Sequence, residues 1–203
     1  MRAPLMLIRR HLRAYVALNG AFYGLVLPGT LLAFVEPEAQ AALTRAILEG
    51  FSAPPLSVAR DAYQSGNVPA AALVTFLVNS IFGAFATLTL PSLVIPYCGV
   101  VIGLYRAAIW GVALAPTTPE LASAMVPHSL TLLLEGQGYI LAMLGVHILW
   151  ASVLAGLRNS SIGLSAGYRS GLRATWDLYR LVLLVLAVAA VYEAIEVIYL
   201  VAR

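Results

Sequence analysis

The chain has 203 residues, of which 61% are hydrophobic and 10% are charged, and its mean hydropathy is +0.89. A soluble domain carries roughly 25% charged side chains, so this composition is built for lipid. The 12 basic residues are all Arg and stand against 9 acids; that excess suits anionic headgroups but is too thin and scattered for a nucleic-acid surface. The single Cys98 sets aside a disulfide framework, a thiolate metal site and a CxxC redox centre.

In chain order, Arg2, Arg9, Arg10 and Arg13 precede a first apolar run, Ala14 to Val35. That run has the length of a membrane span and exceeds the roughly 7 to 15 residues of a signal-peptide core, so it reads as a retained span. The segment from Glu36 to Pro69 holds more acids than Arg. Within it AALTRAILEGF has amphipathic helical spacing, and FSAPPLSVARDAYQSGNVP is punctuated by proline and glycine. This segment is expected either to lie on the outer membrane surface or to cap the bundle.

Two further spans follow, Ala70 to Leu90 and Leu93 to Leu114, separated by the charge-free stretch TLTLPSLVIP. Pro91 and Pro96 argue for a break there, because an unbroken helix would be about twice the length a membrane needs. A re-entrant pair is the alternative. After a short loop, Ala115 to Pro127, a fourth span runs from His128 to Leu154. The loop from Gly156 to Arg180 carries Arg158, Arg169, Arg173 and Arg180 with Tyr168, Trp176 and Tyr179 near helical spacing, which predicts an interfacial helix. A fifth span, Leu181 to Val201, closes the chain. The expected fold is all-α: one integral membrane domain over 1-203, a polytopic helical bundle of about five transmembrane helices with interfacial amphipathic helices. The Arg-rich ends of the first and fifth spans share a side, which the positive-inside rule makes cytoplasmic. The expectation is a bacterial cytoplasmic membrane protein with a cytoplasmic N-terminus.

An ionisable residue inside a span costs about 2.5 to 3.5 kcal/mol on insertion scales, so Arg106, Glu135, Glu193 and Glu196 are the candidates for a role, with Asn79 a milder case. At about 1.5 Å per residue, Arg106, Glu135 and Glu193 each fall about 12 Å from the outer end of their own span, and Asn79 falls near the same level. Glu196 is one turn from Glu193 and shares its face. An ion pair between Arg106 and Glu135 or Glu193 is therefore predicted, as a register-fixing contact or as a proton, ion or solute path. His128, behind Pro127, is expected to start its helix as a cap at the outer edge of this intramembrane polar cluster. Gly20 and Gly24, and Gly99 and Gly103, have the small-xxx-small spacing of packed membrane helices.

Nothing in the sequence supplies a metal set, a cofactor fingerprint or catalytic residues. The match of Gly163-Leu164-Ser165-Ala166-Gly167 to a hydrolase nucleophile elbow is discounted, because that motif needs a strand-to-helix turn.

The order of these motifs resembles the stage II sporulation protein M family of bacterial integral membrane proteins. The resemblance rests on Asn19-Gly20, on Asn79 followed by Phe82-Gly83, on the Gly-rich third span, and on Pro127-His128 with Glu135 downstream. It implies a multi-span, non-enzymatic protein; in spore formers the family acts as a membrane partner of peptidoglycan-degrading proteins during engulfment. The leading expectation is thus a scaffold or assembly subunit, embedded in the lipid bilayer and joined to copies of itself or to other membrane or cell-wall proteins. A small transporter or channel with an Arg/Glu polar path is the alternative.

Overall fold

The computed structural model describes residues 2–53, 57–158 and 163–201. Among the described residues there are eight helices and no strand. They are α1 (Arg2–Arg10), α2 (Leu12–Val35), α3 (Pro37–Ser52), α4 (Ser57–Gln64), α5 (Val68–Ser92), α6 (Cys98–Ala113), α7 (Pro119–Arg158) and α8 (Leu164–Leu200). The helices α2, α5, α7 and α8 are long and apolar enough to cross a membrane. The all-α bundle is the fold expected from the sequence.

Helix α6, expected as a full span from Leu93, has 16 residues, about 24 Å at 1.5 Å per residue. The difference lies in residues 93 to 97, which make a turn ending at Tyr97, whose φ of 58° is left-handed. Pro96 favours this turn, while Pro91 is accommodated in the last turn of α5.

Two loop boundaries also differ. Helix α7 begins at Pro119 rather than at His128, because Thr118 caps it, its Oγ1 accepting from Leu121 N–H at 3.3 Å. Pro119 then takes the first helical position, where a missing N–H costs nothing. Pro127 is inside the helix, so His128 is not a cap. Helix α8 begins at Leu164, making the Arg- and Trp-bearing stretch one continuous helix with the fifth apolar run. Residues 159–162 of that expected loop, and residues 54–56 of the proline-punctuated stretch, lie outside the described residues.

Helix α7 is the centre of the bundle: residues 138 to 146 are buried without interruption. A helix apolar on every side belongs inside a bundle, and α7 is enclosed by α2, α5, α6 and α8. Its longest contact is with α8, antiparallel, where Gly138 faces Leu186, Gly145 faces Thr175, and Gly156 meets the backbone of Gly163 and Gly167. Helices α2 and α6 run parallel, meeting through Gly29 and Gly111, and Ala33 ends level with Val112 and Ala115.

Of the four glycines expected to pack, Gly99 lies against the Leu88 carbonyl and Gly103 against Met143. Gly20 and Gly24 meet nothing within the chain: both are exposed and face open space. The inward face of α2 is set by Phe22, Gly29 and Ala33, and Gly20 and Gly24 fall on the opposite side. Helices α3 and α4 cover one end of the bundle. The buried Gln40 ties α3 to the end of α6, donating to the Ala115 carbonyl at 2.9 Å and accepting from Thr117 Oγ1 at 2.6 Å.

Candidate functional site

The five residues Asn79, Arg106, Glu135, Tyr139 and Glu193 line one cavity of about 460 Å³, bounded at the capped end by Ile47, Ala59 and Tyr63. They come from four helices. Asn79 and Thr87 are on α5, Arg106 and Trp110 on α6, Glu135 and Tyr139 one turn apart on α7, and Glu193 on α8. The wide, π-type winding of α5 from Val78 to Thr89 covers the stretch that faces this cavity; such winding interrupts the regular backbone ladder.

Glu135 is 8% exposed. Its carboxylate accepts from Asn79 Nδ2, and Asn79 in turn accepts from the Tyr139 hydroxyl at 3.0 Å. Asn79 thus stands where an ion-pair partner was expected. The predicted Arg106 ion pair is not formed: among the described residues no carboxylate lies within salt-bridge distance of Arg106. The guanidinium instead donates from Nη1 to the Gly83 carbonyl at 3.0 Å and from Nη2 to Thr87 Oγ1 at 2.9 Å. It also stacks over Tyr139 with 4.6 Å from its central carbon to the ring centroid. The absence of a side chain at Gly83 makes room for the Tyr139 ring, whose hydroxyl would lie 2.8 Å from an added Cβ, so a fixed carbonyl dipole and an aromatic face take the place of the carboxylate.

Glu193 is in the same cavity, beside Glu135. Its Oε2 is shielded from solvent and has no hydrogen-bond partner among the described residues. Two neighbouring carboxyls in a low-dielectric interior need a shared proton or a cation to offset their charge. Arg106, the one cation among the described residues that line the cavity, is committed to Gly83, Thr87 and Tyr139. Tyr63, from the capping helix α4, closes the capped end and shares a 2.8 Å hydrogen bond with Thr75 Oγ1. Burial holds the Tyr63 phenol well above its ordinary value, so it stays neutral across the physiological range.

His128 and Glu196 form a separate pair towards the capped end. His128 Nδ1 lies 2.9 Å from Glu196 Oε1, and Thr131 Oγ1 donates to Glu196 Oε2 at 2.5 Å. Glu196 is 0% exposed and both its oxygens are satisfied. This pair bolts α7 to α8. A third network lies on the opposite side of α7, where Gln137 accepts from the Tyr15 hydroxyl at 2.6 Å and donates to Asn19 Oδ1 at 2.7 Å. Asn19, one of the residues carrying the family resemblance, therefore holds α2 to α7.

Tyr63, Thr75 and Gln137 were not singled out from the sequence. Tyr139 sits at i+4 from Glu135, so helical spacing puts it on the same face of the fourth span; Tyr63 is brought over the cavity only by the fold of α4 onto α5. The glycines of the discounted GLSAG match have packing roles, since Gly167 rests on the Ser152 carbonyl and on Gly156. Among the described residues no three His, Cys, Asp or Glu side chains converge as a metal-ligand set.

Compared with known proteins, the chain matches no family model, no curated protein and no solved structure.

Proposed function

We propose that this protein is a small polytopic membrane carrier that admits a positively charged solute to a cavity inside its helix bundle. Glu135 and Glu193 form the binding pair, and Asn79, Tyr139 and Arg106 orient and insulate it. The observation that carries this reading is that Glu193, whose Oε2 is buried with no hydrogen-bond partner among the described residues, lines a cavity together with a second carboxyl, Glu135, and the fully engaged Arg106. A bundle that used Glu193 only to fix helix register would satisfy both of its oxygens, as it satisfies those of Glu196 with His128 and Thr131. The protein belongs, on this reading, to the bacterial cytoplasmic membrane, with α1 and the Arg-bearing start of α8 on the cytoplasmic side and α3 and α4 outside. The cavity would then fill from the outer side, past Tyr63.

The test is solute and ion flux into liposomes containing the purified protein, with Glu135→Gln as the variant. The carrier reading expects cation flux in the wild type and its loss in a variant that keeps the same elution profile and helicity. The absence of any flux, together with a cell-wall or membrane partner that copurifies in fixed ratio, would replace the carrier with the assembly subunit implied by the resemblance to the stage II sporulation protein M family. That second reading draws support from the exposed Gly20 and Gly24 on α2, where a further helix can approach the bare backbone.

A further inference from the structure

The cavity also bears on the chemical class of its occupant. We infer that the site takes a small organic ammonium ion, a protonated amine with an apolar body, and this inference rests on the carrier reading above.

Four observations converge on that class. First, a volume of about 460 Å³ is within the range of small-molecule sites, roughly 300 to 1,000 Å³, and is far larger than a bare proton or alkali ion requires. Second, the wall is mostly apolar and aromatic: Trp110, Phe82, Tyr63 and Tyr139 surround the two acids. Aromatic faces attract cations through their quadrupole, and the cavity already seats one cation in this way, the Arg106 guanidinium over Tyr139. Third, Glu193 Oε2 is buried without a donor, and an ammonium N–H supplies one, whereas a neutral hydrocarbon leaves the oxygen unsatisfied at a cost. Fourth, the guanidinium of Arg106 directs its terminal nitrogens to Gly83 and Thr87, away from any anion that would have to lie between two carboxyls. A hard metal cation fits less well, since it needs six or more oxygens at short range and the described residues contain no converging ligand set. In the resulting pose the ammonium group lies between the Glu193 and Glu135 carboxyls, and the apolar body lies against Trp110 and Phe82.

The experiment is equilibrium dialysis of labelled n-butylammonium against the full chain in lipid nanodiscs, with empty nanodiscs subtracted. Unlabelled 1-butanol, a neutral analogue of similar shape, and butyrate, its anionic counterpart, serve as competitors. Saturable binding of one ammonium per chain is expected, with neither competitor displacing it. Replacing Glu193 by Gln should weaken it by about tenfold or more, the loss of one charge-assisted hydrogen bond. Equal displacement by 1-butanol, or unchanged affinity in Glu193→Gln, would overturn the inference; the wild-type comparison of the three analogues decides the matter even where the variant fails to fold. If butylammonium does not bind but liposome flux of sodium or protons still depends on Glu135, the carrier reading stands and the ammonium class falls. If neither binding nor flux is found, both fall.

Discussion

Glu193 and Glu196 are one helical turn apart, and their surroundings differ in a way that separates a structural acid from a site acid. Glu196 has both oxygens bonded, to His128 and to Thr131, at zero exposure. Removing the Glu196 carboxyl leaves the Thr131 hydroxyl and the His128 ring without their acceptor, and a buried group left unsatisfied typically costs about 1 to 3 kcal/mol. We expect Glu196→Ala to lower stability by about 3 kcal/mol, read as an earlier unfolding midpoint in a denaturing-detergent titration. Glu193→Gln, in contrast, loses no bond at Oε2 and should shift the same midpoint by less than about 1 kcal/mol. Equal destabilisation by both variants would make Glu193 another structural acid. Counting turns along the apolar runs puts Arg106, Glu135 and Glu193 at one level, and in the structure the three line one cavity. Their partners were not legible. Asn79 and the Gly83 carbonyl are on α5, and whether a guanidinium reaches a carboxylate or a backbone oxygen depends on the rotation of that helix, which apolar periodicity does not set.

At the scale of helices, close approach of backbones decides which glycines matter. Gly111 sits so near the Val26 carbonyl, and Gly29 so near the Ala108 carbonyl, that an added side chain forces α2 and α6 apart. Gly111→Val should destabilise the protein by about 1 to 3 kcal/mol or prevent its folding. Gly20→Val and Gly24→Val meet nothing within the chain and should change its stability by no more than about 0.5 kcal/mol. Chemical crosslinking of the two exposed-face variants then tests the assembly reading: loss of a crosslinked dimer with unchanged stability would show a second chain docked on α2. The spacing of Gly20 and Gly24 alone could not separate these cases, because small-xxx-small recurs on any face of a helix and only Phe22, Gly29 and Ala33 mark the inward one. The start of α7 was legible in principle, since Thr118-Pro119-Glu120 is a capping sequence. Pro127 competed with it as a start signal and is instead carried inside the helix, its carbonyl accepting from the Tyr192 hydroxyl at 3.0 Å.

For the whole molecule, the alternation of apolar runs and the turn at 93 to 97 determine a bundle in which α2, α6 and α8 run one way and α5 and α7 the other. The cavity arises from that arrangement: it sits where α5 to α8 meet, under the cap of α3 and α4. No sequence pattern announces a cavity, because its volume is what the side chains of four helices leave unfilled. The central claim is that Glu135 and Glu193 face a space that a cation enters. Labelling with a hydrophobic carbodiimide, which modifies carboxyl groups in apolar surroundings, tests it directly when the modified residues are located by mass spectrometry with and without cations present. We expect modification at Glu193 or Glu135, suppressed by butylammonium or another monovalent cation, while Glu196 stays unmodified. Labelling at these two residues that no cation suppresses, or labelling at Glu196 in their place, would contradict the account.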